Sequence, residues 1–258
     1  MFYKISITSI LFLSAATLIN AQGGRYIYLG DEMATKFESG SIIRDSFDYS
    51  LIHFLKYQTI RQELLKDTEN SIVNRDGIIL AAKSTITSSV NAQADFGNTD
   101  DSCAILYKTT IQRVRNGRSA ALSITNLFSR SGEKVRQPEP SITVQSIQSE
   151  GVISHSGSNN PFFYTSAPKH KSGALGWLEL NGDTLDVRLA TQQITKRGKV
   201  KKAHYYYSPG LLIMKGDGVY AAIEQNQYHQ IIYMNRQLAE PDKLVIACYL
   251  FIIACYNQ

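Results

Sequence analysis

The densest run of charge in this chain is Lys196, Arg197, Lys199, Lys201 and Lys202, five cations in seven residues, followed closely by Tyr205-Tyr206-Tyr207. Ammonium and guanidinium groups at this spacing can hold phosphate, an anionic glycan or lipid headgroups. The same pattern also suits a solvated hairpin tip, where lysines discourage edge-to-edge strand pairing. Asp95, Asp100 and Asp101 form an acidic loop that could hold a cation such as Ca²⁺ or simply be solvated. Glycosidase work needs two carboxylates placed across a cleft, and the scattered acids here cannot be paired from their spacing. His155, His170, His204 and His229 lie in loops or at strand ends, with no nucleophile or metal spacing beside them. Trp177 and the fifteen tyrosines could form a glycan platform or fill core and sheet faces. The three cysteines, Cys103, Cys248 and Cys255, contain no Cys-x-x-Cys. An odd number excludes a fully paired framework. At most one disulfide can form, with Cys103 expected as one half and Cys248 or Cys255 as the other. No metal site and no cofactor is expected.

The elements that must position these residues begin after a distinct opening segment. Lys4 is the only charge before Arg25, Ile5 to Ile19 is apolar with scattered Ser and Thr, and Ile19-Asn20-Ala21 offers a cleavage site before Gln22. This describes a secretory signal peptide over residues 1–21, too short for a membrane span of about 20 apolar residues. Residues 22–258 are then expected to form one mature β-rich domain, secreted, periplasmic or at the cell surface. The Pro-containing stretch 136–141 is the place where two subdomains would separate. With 43% hydrophobic and 19% charged residues, the composition is that of a globular protein. The formal charge of +5 is dispersed outside the 196–202 run. It therefore does not point to specific nucleic-acid binding, which concentrates charge and interleaves it with aromatics.

Asp48 followed by Leu51, Ile52, Leu55, Ile60, Leu64 and Leu65 has helical spacing and predicts an amphipathic helix from about 49 to 67. Beyond Asn74 the texture is that of strands and turns. Residues 94–102 read as a loop, 142–153 as a strand and 154–173 as a long irregular stretch. Within the last, Ser166-Ala167-Pro168-Lys169 and Lys171-Ser172-Gly173 have the order of the Ser-x-x-Lys and Lys-Ser/Thr-Gly elements of penicillin-binding enzymes. In those enzymes the first element opens a helix far upstream of the second. Here Pro168 interrupts it and the second follows at once, so that chemistry is not expected.

From Gly173 to Asn235 six short apolar runs are separated by Asn181-Gly182-Asp183, the Lys196–Lys199 turn, Ser208-Pro209-Gly210 and Gly216-Asp217-Gly218. Short strands joined by such turns form an antiparallel meander, which leaves two free edges unless it closes into a barrel or is covered. The chain then ends in thirteen uninterrupted apolar residues, 244–256, in which Ile-Ala-Cys-Tyr occurs twice, seven residues apart. Seven residues are about two helical turns, so both copies present one face of a helix, whereas in a strand they would fall on opposite faces. A buried helix from about 242 to 256, apolar on every side, is predicted. At about 20 Å it does not reach across a bilayer core of about 30 Å. Cys248 and Cys255 would stand about 10 Å apart along it, beyond disulfide reach.

Residues 218–256, GVYAAIEQNQYHQIIYMNRQLAEPDKLVIACYLFIIACY, follow final strands, an acidic-Pro break and an apolar helix in that order. This order resembles the tubby C-terminal fold, shared with LURP-one-like proteins and phospholipid scramblases, in which a closed β-barrel wraps a hydrophobic C-terminal helix. The resemblance implies a lipid-linked or scaffolding role without catalysis. Two features depart from it: the family works mainly in the cytoplasm or nucleus, and no headgroup-binding residues can be carried over one by one. The fold expected is β-rich (α+β), an antiparallel meander or closed barrel with the buried C-terminal helix and one amphipathic helix near the N-terminus. The function expected is a secreted, non-enzymatic β-rich binding or structural protein of the cell envelope. Anionic lipid, a glycan or a protein surface are the partner classes considered, with no transmembrane span in the mature chain. A secreted hydrolase with its site in 154–173 and a lipid-binding tubby-like module are the alternatives.

Overall fold

The computed structural model describes residues 26–44, 52–74, 83–116, 141–166, 174–195, 197–203, 208–225 and 230–256. In chain order the elements are β1 (Tyr26–Ile27), α1 (Met33–Lys36), β2 (Phe37–Ser41), β3 (Ile43–Arg44), β4 (Ile52–Phe54), β5 (Tyr57–Asn74), β6 (Lys83–Gly97), β7 (Ser102–Asn116), β8 (Ser141–His155), β9 (Ser158–Thr165), β10 (Gly176–Leu180), β11 (Asp183–Leu189), β12 (Gln192–Ile194), β13 (Val200–Lys202), β14 (Gly210–Lys215), β15 (Gly218–Gln225), β16 (Gln230–Asn235) and α2 (Glu240–Tyr256). The chain divides into two compact units, one of residues 1–42 and 188–238, the other of residues 43–187 and 239–258. Residues 136–140, where a break was expected, lie outside the described residues.

The second unit is an antiparallel meander in which β3 to β11 pair strictly in sequence order. Its hairpins are set by residues that tolerate positive φ. Asn181 (φ 54) and Gly182 (φ 83) make the β10–β11 turn, the Asn-Gly signal at work. Ser156 (φ 48) and Gly157 (φ 81) turn β8 into β9, so much of the stretch expected to be irregular is a hairpin. Residues 167–173, with most of the Ser-x-x-Lys and Lys-Ser-Gly runs, lie outside the described residues. The expected loop at 94–102 is shorter than it reads: β6 continues to Gly97 and β7 starts at Ser102. Asn98 Oδ1 accepts the backbone N–H groups of Asp100 (2.8 Å) and Asp101 (2.9 Å), a local bond that tightens the turn.

The helix expected over 49–67 does not form; residues 52–54 and 57–67 are strand, joined by a turn at Leu55-Lys56. The helical spacing of the leucines marks no buried stripe, because Leu64 is 60% and Leu65 49% exposed. What decides the segment is pairing: β5 finds β6 along its whole length from Gln58 to Asn74. Ile52 and Phe54 are buried with His53 exposed between them, the alternation of a strand.

The terminal helix is as expected. Every residue from 244 to 254 is at most 3% exposed. α2 packs on β6, β7, β8, β9 and β10 of its own unit. Phe251 stacks on Phe96 with ring centroids 4.9 Å apart, and Tyr249 meets Phe162 at 5.5 Å. Burying each Leu, Ile or Phe of this kind contributes about 1.5–3 kcal/mol. Charged groups favour both ends of the helix. Glu240 and Asp242 place acid in the first turn, where the helix dipole favours it. Glu240 accepts from Lys56 and Lys243, and Asn181 Nδ2 donates to Asp242 Oδ1 at 2.8 Å. At the other end Arg44 Nη2 donates to the Ala254 carbonyl at 2.6 Å, putting a cation on the negative end and filling an orphan acceptor. No described helix is long and apolar enough to cross a membrane.

In the first unit β1-β12-β13 form a three-stranded sheet, and β2-β16-β15-β14 are successive strands of the thirteen-stranded antiparallel sheet. They meet over a cluster of Ile27, Phe37, Ala190, Ala222 and Tyr233, with Leu29, Met33, Leu212, Val219 and Ile231 against it.

Candidate functional site

The first unit carries the basic run. Arg197, Lys199, Lys201 and Lys202 are all exposed, and Lys196 lies outside the described residues. The β12–β13 hairpin brings them together by a turn with three bonds. Thr195 N–H donates to the Lys199 carbonyl (3.0 Å), Gly198 N–H to the Thr195 carbonyl (2.8 Å) and Lys199 N–H to Thr195 Oγ1 (3.2 Å). Gly198 sits at φ 71, the left-handed region that a side chain resists. β13 pairs only with β12 among the described residues, so it is the outer strand of its sheet. The pleat splits the cations. Lys201 pairs with Gln193 and so shares the face of Ile27, whereas Lys202 pairs with Gln192 on the other face. The result is a ribbon charged on both sides rather than a pocket.

What fastens that ribbon is a residue the sequence reading passed over. Glu224, on β15, is completely buried. Its Oε2 accepts the Ile27 N–H of β1 at 2.9 Å and the Tyr233 hydroxyl at 3.3 Å. Glu224 Oε1 is buried without a hydrogen-bond partner. Desolvation raises the Glu224 carboxyl above its ordinary value, against the opposing pull of the Ile27 and Tyr233 bonds. Burial and the adjacent carboxylate together raise the Tyr233 phenol. The signal available in the sequence was a single acid inside the apolar run VYAAIEQ.

The second unit holds the groups that resemble a catalytic set. His155, nearly buried, has Nε2 at 2.7 Å from Asp101 Oδ2 and 3.3 Å from Ser156 Oγ. A relay needs the acid on one ring nitrogen and the nucleophile on the other. Here both partners share Nε2, so the ring cannot pass a proton from serine toward the acid's side. The His155 bond holds the Asp101 carboxyl below the usual carboxylate range. The contact therefore works as a clasp between the β6–β7 and β8–β9 turns.

Beside it a shallow pocket of about 270 Å³ is lined by Ser158, Asn159, Asn160, Glu179, Asn181 and Gly182. Its amides are already engaged. Asn160 Nδ2 donates to the Ile153 carbonyl, Asn159 Oδ1 accepts from Ser154, and Asn181 is bonded to Asp242. Glu179 is its single carboxylate. The acidic loop does not converge either: Asp101 is tied to His155 and to the Ser102 N–H, while Asp95 stands on β6 opposite Ala104. Among the described residues no three His, Cys, Asp or Glu side chains come together as metal ligands. His170, His204 and His229 lie outside the described residues. Trp177 is half-buried on β10, paired with Phe163 and Asp186.

The expected disulfide is not formed, and all three cysteines are free thiols. Cys248 does lie beside Cys103, and its thiol donates to the Phe96 carbonyl at 3.8 Å. Burial raises the Cys248 thiol well above its ordinary value and that of Cys255 to about 12, so neither is a ready nucleophile. No family model, curated protein or solved structure matches this chain.

Proposed function

We propose that this chain is a non-enzymatic β-rich binding protein of the cell envelope whose contact surface for anionic ligands is the β12–β13 hairpin. One observation carries the reading: Arg197, Lys199, Lys201 and Lys202 of the densest cationic run are exposed in a turn and on the outer strand it leads into, the turn fixed by bonds of its own. Export rests on the signal-peptide pattern of residues 1–21. A ribbon with cations on both faces suits an extended anionic surface better than one small anion.

The test uses sedimentation with vesicles of anionic or of zwitterionic phospholipid, and in parallel a soluble anionic glycan. Binding to an anionic probe that weakens as salt rises is expected. Reversing Lys199, Lys201 and Lys202 to Glu should weaken it by at least about 100-fold, since each lysine near an anionic surface contributes about 1 kcal/mol. Equal binding by the triple variant would remove the hairpin from the reading. A lipid-binding module of the tubby type is the second reading, supported by the burial of α2 against antiparallel strands. Binding to the glycan but not to anionic vesicles would rule that reading out.

A further inference from the structure

Two of the three thiols are brought together from distant stretches of the second unit. Cys103 stands on β7, 1% exposed, and Cys248 on α2, completely buried. Three contacts fix where they meet. Cys103 is the cross-strand partner of Phe96 on β6, so both side chains enter the core from one face of the sheet. The Cys248 thiol donates to the carbonyl of that same Phe96 at 3.8 Å. Phe251, three residues after Cys248 and on the same face of α2, stacks on the Phe96 ring. The two thiols interact directly. Cys255 is outside the pair: it lies about 10 Å farther along the helix, beside Arg44.

We infer that Cys103 and Cys248 close a disulfide that staples α2 to β7 when this chain folds in an oxidising compartment. The structure shows the dithiol form of the pair. Closure forms one S–S bond and oxidises two thiols. The oxidant is a small-molecule or protein disulfide, whose own S–S bond breaks and which leaves as two thiols carrying the two protons. Exchange runs by thiolate attack through a mixed disulfide. In the folded chain both sulfurs are buried out of reach of such a partner. Exchange therefore takes place while α2 is undocked, and docking brings the second sulfur onto the first. The same burial then shields the closed bond from reductants. Joining the last helix to a strand so far back in the sequence closes a long loop, the case in which a cross-link restricts the unfolded chain most. Only the occurrence of the bond in the cell rests on the export proposed above, because disulfides persist in oxidising compartments. The pairing itself rests on the packing of α2.

The experiment refolds the reduced full chain in a buffer of reduced and oxidised glutathione. Free thiols are then counted under denaturation, and the unreduced peptides are mapped by mass. Two of the three thiols should be lost, with residues 103 and 248 linked and Cys255 free. Cys255→Ala should leave none free, whereas Cys103→Ala should keep both remaining thiols. The closed form should unfold at a higher denaturant midpoint than the dithiol form, a difference that Cys103→Ala removes. The same count on folded dithiol protein, held in that buffer near its denaturation midpoint, makes the result independent of refolding yield. Three free thiols in both arms overturn the inference. So does a bond that uses Cys255, or a closed form that unfolds at the lower midpoint. None of these outcomes touches the β12–β13 hairpin, so failure here leaves the anionic-surface reading standing.

Discussion

At the level of single residues, the second unit is set by positions with no room to spare. A Cβ on Gly176 would stand 2.2 Å from the Phe163 carbonyl and 2.8 Å from the Tyr249 hydroxyl. That hydroxyl donates to the same carbonyl at 2.7 Å, so sheet and helix approach each other at a point only glycine permits. Gly176→Ala should lower stability by at least about 1–3 kcal/mol in denaturant unfolding. Glu224 makes the opposite kind of demand in the first unit. Its folded value is raised above the ordinary 4.5, so the folded state resists losing that proton. The stability it supports is complete below the unfolded value and is lost as pH rises through the raised one. The thermal stability of the first unit should therefore fall as pH rises from about 4.5, and Glu224→Gln should flatten that slope. An unchanged slope would place the titration elsewhere. Neither residue announced itself in the sequence. Burial of an acid and the closeness of two backbones are products of packing, and a lone Glu in a strand reads as its solvent face.

Among the elements, legibility followed how strongly one local signal dominated. The terminal helix was readable because a seven-residue repeat and an unbroken apolar run allow few alternatives, and its bounds came within two residues. The hairpins at Asn181-Gly182 and Gly216-Asp217-Gly218 were readable because their residues suit positive φ or a tight turn. The segment 49–67 was not. Its turn rests on Leu55, at φ 51, and Lys56, neither of which signals a turn, and its leucines mimic a helical stripe while facing solvent. Only pairing with β6, a contact distant in sequence, turns it into a strand, and propensity yields to such pairing routinely. The basic hairpin was legible as a cluster, but its split over two faces needed the register of β12 against β13.

For the whole molecule, two units are threaded from separate stretches of one chain, and the last seventeen helical residues return to the second. The alternation of short apolar runs and turn residues correctly described a β-rich protein, whereas the division into two units rests on contacts distant in sequence that no local signal carries. Holding these points together is the claim that the terminal helix is the internal core of the second unit and not an anchor. Amide hydrogen exchange of the full chain, resolved over residues 244–254, measures this directly. Those amides should exchange only through global unfolding of the unit. Exchange of 244–254 as fast as that of the exposed turns, with the strands β6 to β10 still protected, would contradict it.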